Sequence, residues 1–175
     1  TPWMIAAGGT LVVTGTLVFA IPFLGPLFKH RHEDRTAFFI LLALLFLIGT
    51  VLFGVLMALQ LGKVWSSWLF LNGFVVHMLL GGFGWFTGIT AGVSYKLIPM
   101  FITTANLPDE RVRRAFFLYN GGLVVTLLGG FLSWLPAVLG GAAGILAALG
   151  LYVADVRAML KRRIRRKLAG SASNA

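Results

Sequence analysis

Phe74-Val-Val-His77-Met-Leu-Leu-Gly81-Gly-Phe-Gly84-Trp-Phe-Thr-Gly88-Ile-Thr-Ala-Gly92-Val-Ser-Tyr95-Lys-Leu-Ile-Pro99-Met-Phe101 is the stretch on which the chain turns. It is apolar enough to enter a bilayer, yet it carries a histidine. An ionisable side chain at membrane depth is costly and usually faces the interior of a bundle, where it has a task. At roughly 100° per residue, positions 77, 81, 84, 88 and 92 fall within about 80° of one another on a helix. His77, Gly81, Gly84, Gly88 and Gly92 are therefore expected on one face, a shallow trough with a nitrogen ligand near one end.

The rest of the chain agrees with a membrane setting. Its 175 residues are 58% hydrophobic and only 11% charged, against about 25% charged in soluble domains; mean hydropathy is +0.91. The predicted fold class is all-α, an integral membrane bundle of about five helices. Spans are expected at about 3–28, 36–61, 68–101, 115–134 and 137–157, making a transmembrane domain over 1–160. A basic tail, 161–175, follows, with apolar Ile164 and Leu168 among Lys161, Arg162, Arg163, Arg165, Arg166 and Lys167. Pro22 and Pro26 are expected to kink or end the first span, and Pro99 the third. Asn106-Leu-Pro108-Asp109-Glu110 reads as a helix start. The chain begins at Thr1 with no basic segment before the first apolar run, so no cleavable signal peptide is expected.

Charge supplies a direction. Lys29, Arg31 and Arg35, then Lys96, Arg111, Arg113 and Arg114, then Arg157 and the tail cations all fall on one side of an alternating five-helix path. Only Lys63 falls on the other. The positive-inside rule then puts the N-terminus outside and the C-terminus in the cytoplasm of a bacterial-type inner membrane, with His77 in the outer half. The net charge of +10 is thus assigned to anionic lipid rather than nucleic acid.

Residue chemistry narrows the options. The absence of cysteine excludes disulfides, thiolate haem ligation, cysteine-held iron–sulfur clusters and Cys-x-x-Cys-His haem attachment. The spans are expected to hold no second histidine and no carboxylate at depth, which disfavours a metal cluster and a proton path, and no broken helix with polar or charged residues is expected at the midplane, which disfavours a transporter. His30-x-His32 with Glu33 and Asp34 reads as a solvated turn rather than a metal site. Haem asks only for one or two axial ligands and a flat cavity. On that reading His77 ligates the iron, Gly81, Gly84 and Gly88 let the macrocycle lie close, and Phe74, Phe83, Trp85 and Phe86 pack around it. The other reading makes the glycines a helix–helix contact and His77 a satisfied polar group. Tyr95 shares the His77 face but lies about 27 Å lower by helical rise, beyond reach of the same porphyrin. Met78 points about 100° away from its neighbour.

His77, followed by Gly84, Gly88 and Gly92 and then by Ser94-Tyr95-Lys-Leu-Ile-Pro99-Met100-Phe101, resembles a segment of the haem-copper oxidase catalytic subunit family, which includes nitric oxide reductases and smaller oxidase-like membrane proteins. In that family a helix carries an outer-half histidine, spaced glycines and a Tyr/Asn-x-Leu-x-Pro-Met/Leu ending on the cytoplasmic side. The resemblance covers about residues 74–114. It implies that His77 is an axial ligand of a non-covalent b-type haem in a respiratory-type assembly for electron transfer or diatomic-gas handling. The family's second axial histidine and its oxygen-site histidines lie on later helices with no counterpart here. The opposite ligand is accordingly assigned to a further segment, a second chain or a second copy. Trp65, Trp68 and Lys63 are the expected propionate partners by position. The competing expectation is a non-catalytic helical subunit that stabilises a membrane complex.

Overall fold

Thr103 and Ser133, held at φ 50° and 52°, mark two of the chain's reversals. Each follows a helix whose last carbonyls it helps to close. Thr104 N–H bonds Pro99 O at 3.0 Å, and Trp134 N–H bonds Gly129 O at 2.8 Å. Both are six-residue closures that a left-handed residue makes possible.

The computed structural model describes residues 2–31, 35–61, 67–104 and 107–162. The helices are α1 (Pro2–His30), α2 (Arg35–Leu61), α3 (Ser67–Met78), α4 (Gly88–Phe101), α5 (Asp109–Phe131) and α6 (Leu135–Lys161). A nine-residue π-helix, Leu79–Thr87, joins α3 to α4 without a break, so the three form one long third helix. No strand occurs among the described residues. Among the described residues five helices are long and apolar enough to cross a membrane: Ala7–His30, Thr36–Ala58, Gly73–Phe101, Glu110–Phe131 and Leu135–Lys161. Their backbones satisfy themselves internally, as a bilayer demands.

The all-helical fold and the five apolar helices are as expected among the described residues. α1 continues through Pro22 and Pro26 to His30 rather than ending near them. α5 begins at Asp109 with Pro108 at its N-cap, within the helix start read at residues 106–110, so the charged Glu110–Arg114 turn ahead of the span expected from about 115 is already helical. Glu110 there reaches both Arg113 and Arg114. Pro99 sits two residues before the end of α4, where its carbonyl takes the closing bond from Thr104.

Packing divides the molecule in two. α1 lies mainly along α2 and leaves Leu11, Val18 and Ile21 exposed. α2 lies along the whole third helix. The α5–α6 hairpin is the tightest pair. A Cβ on Gly122 would lie 2.7 Å from Gly141 O, and one on Gly129 2.7 Å from Val138 N, so these two helices touch backbone to backbone. Where the halves meet, Phe39 of α2 stacks edge-on to Phe116 of α5 at 4.3 Å between centroids. Tyr95, Leu107 and Met159 complete that cluster.

Candidate functional site

The trough face forms as the spacing predicts, and α2 occupies it. His77 lies against Gly54, Gly81 against Thr50, Gly84 against Phe46, Gly88 against Ala43 and Gly92 against Phe39. The fit is close. A Cβ on Gly84 would stand 2.7 Å from Phe46 Cγ, and one on Gly92 2.7 Å from Phe39 Cβ. Those atoms are at the roots of the rings, so they cannot swing aside. At Gly81 the nearest atom is Thr50 Cγ2 at 3.1 Å, and at Gly88 it is Ala43 Cβ at 3.5 Å. No macrocycle fits between these glycines and α2.

His77 is half-buried at one end of this contact. Its Nδ1 is 2.8 Å from the carbonyl oxygen of Thr50. A carbonyl only accepts, so Nδ1 carries the hydrogen, and in the neutral ring Nε2 keeps a free lone pair. Gly54 makes the approach possible, because a Cβ there would lie 3.1 Å from His77 Cε1. The Thr50 hydroxyl is turned back to Phe46 O at 2.8 Å, leaving its carbonyl to the imidazole. A histidine whose Nδ1–H is fixed by a backbone carbonyl is the usual arrangement of a ligating imidazole, with tautomer and ring orientation set from behind. His77 is therefore held as a ligating imidazole would be, while Gly81, Gly84 and Gly88 pack against α2.

A second constellation lies toward the other end of the third helix, and it includes a carboxylate the sequence reading did not place at depth. Asp155 of α6 is 2% exposed. Its Oδ2 accepts a hydrogen bond from Tyr95 OH at 3.1 Å. Its Oδ1 is 2.8 Å from Arg111 Nε, an ion pair whose angle falls short of a directed hydrogen bond. Beside it Tyr152 donates to Ser94 Oγ at 2.8 Å, and the Tyr95 and Tyr152 rings meet edge-on at 5.5 Å. Tyr119 donates to Phe83 O, within the π-helix, at 2.6 Å. The spacing of Gly141, Ile145, Ala148, Tyr152, Asp155 and Met159 is the signal that locates Asp155. All six fall in phase on one face of α6, and Asp155 belongs to its buried side rather than to the basic extension beyond it.

Among the described residues no group of three His, Cys, Asp or Glu side chains is placed to hold a metal ion. His32, Glu33, Asp34, Lys63, Trp65 and residues 163–175 lie outside the described residues, as does the Trp68 side chain. Arg31 closes over the Phe28 ring at 3.6 Å from its centroid.

The described residues form an all-helical bundle of membrane-spanning type with an oriented imidazole at His77 and a buried carboxylate, Asp155, paired to a partly exposed arginine. In comparisons with known proteins, no family model, no curated protein and no solved structure matches the chain.

Proposed function

We propose that this chain is a membrane subunit that binds b-type haem through His77 and contributes one side of a shared haem site. Its setting on this reading is a respiratory-type assembly in a bacterial-type inner membrane, with the C-terminus cytoplasmic. The observation that carries it is the Nδ1 contact of His77 with Thr50 O, which leaves Nε2 as the free donor atom. The haem, when bound, supplies a one-electron iron couple or an iron site for a diatomic gas. The chain's own part is to fix the imidazole. The Thr50 carbonyl sets its tautomer and raises its basicity, and Gly54 seats the ring. The second axial ligand comes from a second chain, a second copy or a further segment. The orientation rests on the cations. Arg111, Arg157 and Lys161 sit at one end of α5 and α6, and the Arg111–Asp155 pair holds those two helix ends together.

A second reading, a non-catalytic subunit that stabilises a membrane complex or binds lipid, is favoured by the closed fit of Gly84 and Gly92 on α2. One experiment decides between them. The protein is purified with its native membrane partners, and a reduced-minus-oxidised visible spectrum is recorded for the natural chain, for His77→Ala and for His77→Gln. Haem ligation by His77 predicts a Soret and α-band that both substitutions abolish or shift. A spectrum without haem bands, or one that neither substitution alters, leaves the structural subunit as the function.

A further inference from the structure

The α5–α6 hairpin and its seat on the third helix are built differently. Inside the hairpin, Gly122, Gly129 and Gly141 bring backbone onto backbone. Across the seat, side chains bridge the gap, and the polar links are made by tyrosine hydroxyls. Tyr119 reaches Phe83 O, Tyr95 reaches Asp155 and Tyr152 reaches Ser94. These are the only three tyrosines of the chain. A cavity of about 20 Å³, room for about one water, remains between them, lined by Phe39, Ala91, Ala148 and the three tyrosine rings.

We propose that the hairpin moves as one body on the third helix, and that this tyrosine seam opens and closes. The acceptors of the seam have partners to fall back on. Asp155 keeps Arg111, which belongs to the hairpin and whose side chain is 44% exposed, so opening does not strand the carboxylate. Ser94 already donates to Ala91 O at 2.8 Å within its own helix. Phe83 O, released by Tyr119, is taken by the N–H four residues on if the π-helix relaxes to α-helical register. Buried polar groups make separation costly chiefly when it leaves them unpaired. Here the acceptors stay paired and the three tyrosine hydroxyls are the groups that must turn to water, whereas parting α5 from α6 would break the close backbone contact. Because the π-helix starts two residues after His77, opening changes how that histidine is carried relative to α4.

The cysteine-free chain permits a direct test. Ala148→Cys places a thiol in the seam, and Thr126→Cys places one inside the hairpin against Gly141. Each is introduced alone into the full chain in lipid nanodiscs and treated with methyl methanethiosulfonate. The measurement is repeated with Tyr95, Tyr119 and Tyr152 changed to Phe, together and singly, folding being checked by helical circular dichroism and elution volume. The expected result is an increase of at least about tenfold in the labelling rate at position 148 on loss of the hydroxyls, with the rate at 126 unchanged. If the triple variant does not fold, Tyr95→Phe alone is expected to raise the 148 rate, by a smaller factor. No acceleration at 148 in any folded variant overturns the proposal. So does equal acceleration at 126, which would mean that the hairpin comes apart instead of moving whole.

Discussion

His77 Nδ1 and Thr50 O, 2.8 Å apart, join the third helix to α2 at a point where both are otherwise apolar. The bond depends on Gly54, whose missing side chain is the space the imidazole fills. Gly54→Leu is expected to push the ring off the carbonyl and to cost about 1–3 kcal/mol by overpacking. Gly54→Ala asks the ring to give only a few tenths of an ångström and should cost less. His77→Gln, which can still donate to Thr50 O, should retain about 1 kcal/mol that His77→Leu loses. Denaturant midpoints in detergent, followed by circular dichroism, order the four variants.

The glycines of the third helix should separate by what faces them. Gly84→Ala and Gly92→Ala drive a methyl group into the ring roots of Phe46 and Phe39, and each is expected to lower stability by about 1–3 kcal/mol. Gly88→Ala meets Ala43 Cβ at ordinary contact distance, and Gly82→Ala meets nothing within 4 Å, so both should be near neutral. Equal losses at all four positions would contradict the packing register between α2 and the third helix.

The five helices were legible because long apolar runs have one stable backbone solution in lipid, and because their charges fall at one end. The shared face of His77, Gly81, Gly84, Gly88 and Gly92 was legible too, but its occupant was not. A stripe of small residues has the same spacing whether a helix or a macrocycle fills it, and here Phe39, Ala43, Phe46 and Thr50 fill it. The π-helix left no trace in the sequence, since a one-residue change of hydrogen-bond register needs no particular composition. Asp155 was hidden by its neighbours. Arg157 and Lys161 make its surroundings look interfacial, while its phase with Ile145 and Ala148 turns it inward. Thr103 and Ser133 were missed as left-handed residues because glycine, the usual mark of that conformation, is absent from both positions.

Asp155 should be more sensitive to the loss of its partner than to its own removal. Arg111→Ala leaves a carboxylate that is 2% exposed with only Tyr95 beside it. The expected cost is about 3 kcal/mol, at the lower end for a broken buried pair because the guanidinium is itself partly exposed. Replacing both, Arg111→Met with Asp155→Leu, should recover most of that loss, since the uncompensated charge goes with the pair. A double-mutant cycle on unfolding midpoints gives the coupling. A double variant as unstable as the sum of the two single ones would show that the pair contributes no mutual compensation.

Thr103 and Ser133 offer the opposite kind of change. Both hold φ near +50°, which puts a Cβ close to the following carbonyl and costs roughly 1–2 kcal/mol for an L-residue. Thr103 is β-branched, so its penalty is the larger. Glycine removes the clash but gives back part of the gain as unfolded-state entropy. Thr103→Gly should therefore stabilise by about 0.5–1 kcal/mol and Ser133→Gly by less. The closing bonds Thr104 N–H to Pro99 O and Trp134 N–H to Gly129 O remain available in both variants. Thr103→Pro is the control, because proline cannot adopt positive φ. It should undo the α4 ending, with a loss of thermal midpoint where the glycine variant shows a gain.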